Sequence, residues 1–143
     1  MERVLLAVNM PVNSLSTPCQ FKVVEVFVAI ASPRLEHQVS FYRDFLAIAP
    51  RLHTATYAEF HLPGLRLALF SPMAEHAPEF ASSPGSPVSL CLEVKDLEQA
   101  IACLNALGYP PPGEIIMASH GQEIYAYDPD GNRLILHQSK PLG

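Results

Sequence analysis

The sequence has no tryptophan and only three cysteines in 143 residues. Cys19, Cys91 and Cys103 are odd in number and lack the paired spacing of a zinc site, so neither a disulfide framework nor a zinc ribbon is expected. Free thiols fit a reducing, cytoplasmic setting. Basic residues are also scarce, nine Lys and Arg against fourteen Asp and Glu, for a net charge of -5. Without a Lys/Arg cluster, that balance speaks against a nucleic-acid partner. No apolar run approaches the ~18 residues that span a bilayer, so no membrane segment is expected. A Gly-rich phosphate loop, a His-Glu-x-x-His pair and a Gly-x-Ser-x-Gly elbow are all missing, and the catalytic residues stay unknown.

What is present is a well-patterned apolar half of the chain: 49% of the residues are hydrophobic. That is enough for one compact domain. The apolar start Met1–Val8 is too short and too soon followed by Asn9 to read as a signal peptide. Residues 1–20 read instead as a loosely ordered tail, rich in Pro, Ser and Asn.

Residues 21–31 are dense in β-branched side chains and predict a strand, mostly buried. Ser32-Pro33 signals a helix start, with Ser32 as N-cap and Pro33 at the first helical position. Leu35, Val39, Tyr42 and Leu46 share one helical face, and Pro50 closes the helix by about Ile48. Strands follow over about 51–54, 57–62 and 65–71, the last two joined at Pro63-Gly64. Residues 72–87, rich in Pro, Ser, Gly and Ala, read as a linker.

The second half repeats that order. Residues 88–94 predict a strand. Asp96 is an N-cap with Gln99 three residues on, close to a capping box. Leu97, Ala100, Ile101 and Leu104 form the stripe of a helix that ends at Gly108. Strands over 114–118, 122–127 and 133–138 complete the half. The last two flank the turn Asp128-Pro129-Asp130-Gly131-Asn132, in which Pro fixes φ and Gly takes φ > 0. The final strands of the halves share Gly-x-Arg-Leu-x-Leu: Gly64-Leu65-Arg66-Leu67-Ala68-Leu69 against Gly131-Asn132-Arg133-Leu134-Ile135-Leu136. Same element order, same helix register and a shared strand motif together predict an internal duplication, with modules at 21–71 and 88–143.

Three motifs resemble those of one superfamily. Phe41-Tyr42-Arg43-Asp44-Phe45-Leu46 resembles the helix signature of the glyoxalase/bleomycin-resistance/dioxygenase (vicinal oxygen chelate) proteins. Glu93-Val94-Lys95-Asp96-Leu97-Glu98 is similar to the strand-to-helix passage of their second module. Asp128-Pro129-Asp130-Gly131-Asn132 is similar to their closing hairpin. The resemblance covers residues 21–139, one compact domain. It implies an α+β fold in which two βαβββ modules form a cup-shaped mixed sheet with helices outside, and it implies a homodimer. In metal-dependent members His or Gln comes from the first strand of each module and Glu from the last. Those positions fall here on Phe27, Ala68, Ser89 and Ile135. Three have no donor atom and a lone Ser hydroxyl is a poor ligand, so no metal site is expected.

Strand alternation gives an independent reading of the cup. Val26, Val28, Ile30, Leu67, Leu69, Leu90, Leu92, Val94, Leu134 and Leu136 should pack on the helices. The other face would carry an apolar floor with oriented polar groups around it, the make-up of a small-molecule pocket. The ligand-binding candidates are Phe27, Tyr57, Arg66, Phe70, Tyr125, Tyr127, Arg133, Ile135 and His137. Arg66 and Arg133 suit a ligand carboxylate or phosphate, or else cross-strand pairing with Glu25, Glu59, Glu93 or Glu123. Cys91 and Cys103 read as packing residues. His53, His76 and His120, in or near loops, carry no signal.

The expected function is metal-free binding of a small, partly apolar ligand, with no cofactor. One alternative is a divalent-metal lyase or dioxygenase whose ligands are displaced onto residues such as Glu25, Glu59, His61, Glu93 and His137. The other is an interaction module with a vestigial cup.

Overall fold

A computed structural model describes residues 20, 22–81 and 86–141. Most of the predicted tail lies outside them, as do Phe21 and residues 82–85 of the predicted linker. Two βαβββ modules are present, as the repeat predicts. The first comprises β1 (Val28–Ala31), α1 (Leu35–Leu46), β2 (Leu52–His53), β3 (Tyr57–Leu62) and β4 (Leu65–Phe70). The second comprises β5 (Leu90–Glu93), α2 (Leu97–Leu107), β6 (Ile116–Ala118), β7 (Gly121–Tyr127) and β8 (Arg133–Ser139). Each module makes its own four-stranded mixed sheet, in the orders β1-β4-β3-β2 and β5-β8-β7-β6. The first strand runs parallel to the last in each, while the hairpins are antiparallel. Both sheets are open, and β1 and β5 are edge strands.

Each helix covers one face of its own sheet, and α1 also meets α2, so the modules share one core. Val39, Tyr42, Phe60, Leu67 and Leu69 come from the first module, and Leu97, Leu104, Ile124, Leu134 and Leu136 from the second. Period-two alternation places these strand residues inward because every second side chain points at the helices. Burying one such Leu is worth roughly 1.5–3 kcal/mol. Among the described residues, neither α-helix lies on the opposite face of its sheet.

Four local expectations change. The first strand spans only Val28–Ala31, and residues 22–29 are exposed. In the parallel register Val28 sits beside Leu67. The ladder stops there, although β4 itself starts two residues earlier at Leu65, and residues 22–27 form no strand. Val26 and Val28, expected in the core, are exposed, because Val26 lies outside the ladder and Val28 stands at its end on the edge strand. Ser32 does not cap α1, which begins at Leu35 without a side-chain cap. Its hydroxyl instead donates to Asp130 Oδ2 at 2.6 Å and accepts from Arg34 N–H, tying α1 to the β7–β8 turn. The same helix stops at Leu46, before Ile48, with Ala47 in the left-handed region. Finally, the linker contains a short 3-10 helix, Ala74–Phe80, whose Phe80 ring packs edge-on against Phe70.

Asp96 caps α2 as expected, accepting from Gln99 N–H at 3.1 Å.

Candidate functional site

The nine predicted ligand-binding residues divide between the two sheets. Tyr57, Arg66 and Phe70 belong to the first, and Phe27 lies just before β1, against Arg66. Tyr125, Tyr127, Arg133, Ile135 and His137 belong to the second.

On the first sheet the polar groups converge on Glu59, a buried carboxylate. Tyr57 Oη donates to its Oε2 at 2.6 Å, and His61 Nε2 lies 2.8 Å from its Oε1. Hydrogen bonding from Tyr57, then from His61, holds the Glu59 carboxyl below the usual carboxylate range. The same bond raises the Tyr57 phenol, because ionising it beside an acceptor carboxylate is unfavourable. Arg66 reaches Glu25 Oε2 at 2.9 Å, and its guanidinium lies over the Phe27 ring at 4.4 Å. Its Nε is 3.6 Å from Glu59 Oε2 and is buried without a hydrogen-bond partner. Arg66 is thus already paired, with Glu25 ahead of β1 and with Glu59 across the β3–β4 hairpin. Phe70 stands in register with Tyr57.

On the second sheet Tyr125 opposes Ile135, Tyr127 opposes Arg133 and Glu123 opposes His137. Among the described residues Arg133 pairs with no carboxylate. Its Nη1 donates to the Ser86 carbonyl at 2.8 Å and to Ser89 Oγ at 3.0 Å. Tyr125 is 41% exposed, a large aromatic surface on the sheet face opposite α2. His137 Nδ1 lies 2.6 Å from Glu93 Oε1, and its Nε2 lies 2.8 Å from His120 Nδ1. Ser139 supplies both its N–H and its hydroxyl to Glu93 Oε2. His137 first, and Ser139 second, hold the Glu93 carboxyl down at about 2.

His120 is the residue that sequence reasoning missed. It sits in the β6–β7 turn and reaches His137 only because that turn folds back beside β8. No periodicity or spacing marks it.

A cavity of about 1030 Å³ lies between the modules, lined among others by Ala31, Ser32, Phe80, Val88, Asn132 and Arg133. A second, of about 490 Å³, opens beside Phe70, Met73, His76 and Phe80. Arg133 and Phe70 are the two predicted residues that face these spaces.

No protein-family model and no curated protein matches the sequence. Solved structures do match. A bleomycin resistance determinant encoded on transposon Tn5 superposes with a TM-score of 0.61 at 20% identity, covering 83% of this chain and 100% of that one. The fold is that of the glyoxalase/bleomycin-resistance proteins. A glyoxalase/bleomycin resistance protein from Catenulispora acidiphila gives 0.62 at 19% identity, over 82% and 100% of the two chains. A lactoylglutathione lyase from Agrobacterium tumefaciens gives 0.61 at 18%, over 81% and 94%. At these identities what is shared is the fold.

That glyoxalase/bleomycin-resistance fold sharpens the question of a metal. Of the four positions where the resemblance puts ligands, Phe27 stacks under Arg66, Ala68 is fully buried and Ile135 stands beside Tyr125. Ser89 is engaged by Arg133. This donor set does not fit a divalent ion. Among the described residues, no group of three or more His, Cys, Asp or Glu is arranged to hold one.

Proposed function

We propose that this protein binds a small, partly apolar molecule on the open faces of its sheets, using no metal or other cofactor. The observation behind this reading is the make-up of those faces. Each presents aromatic rings next to fixed charged groups: Tyr57 and Phe70 near Arg66 and Glu59, and Tyr125 and Tyr127 near Arg133 and His137. Such a surface suits an apolar body with one or two polar substituents. Phe27, Ala68 and Ile135, three of the four metal positions, carry apolar side chains with no donor atom for an ion.

An open sheet face buries only one side of a guest. A second copy of the chain laid against it supplies the other side, so binding and homodimer formation belong to the same proposal. Among the described residues no α-helix covers either open face, which supports that arrangement.

The test is equilibrium binding by tyrosine fluorescence and calorimetry, against a panel of aromatic and aliphatic carboxylates, phenols and phosphates, on protein stripped with EDTA. Saturable binding that EDTA leaves unchanged supports the proposal. Binding or turnover that appears only on adding Mn, Fe, Ni or Zn overturns it.

A further inference from the structure

Among the described residues, the charged side chains lining the cavity between the modules are Asp130 and Arg133. Asp130 is compensated: Ser32 Oγ donates to its Oδ2 at 2.6 Å, and Arg34 Nη2 lies 3.7 Å from its Oδ1. Arg133 has no such counter-charge among the described residues, and residues 82–85, Ser-Ser-Pro-Gly, bring no carboxylate. Its two contacts also set its geometry. Both are made by Nη1, to the Ser86 carbonyl and to Ser89 Oγ. A guanidinium carries five N–H groups in one rigid plane, so two bonds at Nη1 fix that plane and leave three N–H groups. Nε and Nη2 make no hydrogen bond among the described residues, and neither is a buried atom without a partner. Both are therefore within reach of solvent. Their shared edge offers two parallel N–H groups, the shape that a carboxylate meets with its two oxygens. Ser86 and Ser89 bracket Val88, so the contacts that fix the fork also hold Val88 beside it. Val88 is 75% exposed and lines the same cavity, as does Phe80, whose ring Phe70 braces edge-on.

We propose that the cavity between the modules binds a monocarboxylate with an apolar body, its carboxylate bridging Arg133 Nε and Nη2 and its body lying against Val88 and Phe80. The inference rests on the metal-free binding reading above, and it adds the ligand's charge and a place for it outside the open sheet faces. At about 1030 Å³ the cavity is as large as the larger small-molecule sites. One cation without a counter-charge selects a single negative charge. The Asp130 carboxylate on the same lining repels a second one, which sets a carboxylate apart from a phosphate dianion. An apolar body covers Val88 and the Phe80 ring and removes that surface from water.

Calorimetry on the full-length protein at neutral pH, with 4-phenylbutyrate and 4-phenylbutanamide as probes, tests this. The two share an apolar body and differ in charge. The acid is expected to bind about tenfold to a hundredfold more tightly than the amide, with an affinity that falls as salt rises. This comparison uses the parent protein and so does not depend on any variant folding. Arg133→Gln, checked for folding by circular dichroism, should bring the acid down to the level of the amide. Phe80→Ala should weaken both probes, and Tyr125→Ala, on the open face of the second sheet, should weaken neither. Equal affinity for acid and amide, or an acid affinity unchanged in folded Arg133→Gln, overturns the proposal and leaves the binding reading standing. Loss of binding in Tyr125→Ala but not in Phe80→Ala puts the ligand on the open face and overturns it in the same way. Neither probe binding removes this ligand class. A silent result across the whole metal-free panel as well removes the binding reading itself.

Discussion

Tyr42 Oη donates to Asp128 Oδ2 at 2.7 Å, and both residues are buried. One lies on the helix of the first module and the other at the start of the last hairpin turn of the second. Asp128 accepts five side-chain-directed hydrogen bonds: Gln38 Nε2, Tyr42 Oη and Asn132 Nδ2 on Oδ2, and the N–H groups of Asp130 and Asn132 on Oδ1. It shapes the turn and fastens α1 to it. Removing the Tyr42 hydroxyl with Tyr42→Phe should cost about 1.5–3 kcal/mol in denaturant unfolding, the range for a hydrogen bond to a charged group. Asp128→Ala should cost more, since it strands several buried donors at once.

The same contact predicts an alkaline limb. Burial first, and the Asp128 charge next, push the Tyr42 phenol well above its ordinary 10.0. The folded state therefore holds this proton more tightly than the unfolded state. The contribution is complete below pH 10 and is lost as the pH climbs above it. Tyr42→Phe should unfold less steeply with rising pH than the parent protein.

Glu93 gives the opposite limb. His137 and Ser139 lower its carboxyl from 4.5 to about 2. A depressed folded value means stability present above pH 4.5 and lost as the pH falls towards 2. Glu93→Gln should flatten thermal stability over that window and leave the slope at neutral pH unchanged. An acid limb identical to that of the parent would show that the contact does not form.

Gly121 opens β7 at φ 153°, and a Cβ built there would overlap the backbone carbonyl oxygen of Gln138. Neither group is a flexible side chain, so the hairpin itself would have to shift. Gly121→Ala should destabilise by about 1–3 kcal/mol or more and loosen the β7–β8 ladder, read by amide exchange at Gln122 and Ser139.

Ala47 ends α1 at φ 58°, in a region that favours glycine. It is exposed, so nothing but the backbone conformation decides the outcome. Ala47→Gly should raise stability by about 0.5–1 kcal/mol, read as a higher denaturant midpoint with an unchanged slope.

Much of the fold was legible locally. Leu67, Leu69, Leu134 and Leu136 announced their strands and their inward face, because alternation and burial go together in a one-sided sheet. Asp96 and Gln99 announced a helix start, because a cap is made by residues three apart. The repeat of Gly-x-Arg-Leu-x-Leu announced two modules. The candidate site was legible only as two faces. Alternation assigned Arg66, Tyr125 and His137 to the helix-free side, but it carried no information on what each would meet there.

The sequence by itself determined both α-helices, most of the strands, their order and the side chains at the four metal positions. All of these depend on neighbours within a turn or a strand, or on residue type alone. Only the tertiary structure decided that Ser32 bonds Asp130 and that Asp128 holds Tyr42 and Gln38. It also decided that Arg66 is taken by Glu25 while Arg133 is held by Ser86 and Ser89, and that His120 closes a chain to Glu93. Those partners are far apart in sequence. Hydrogen-bond geometry selects them only once packing of the common core has fixed the two modules against each other.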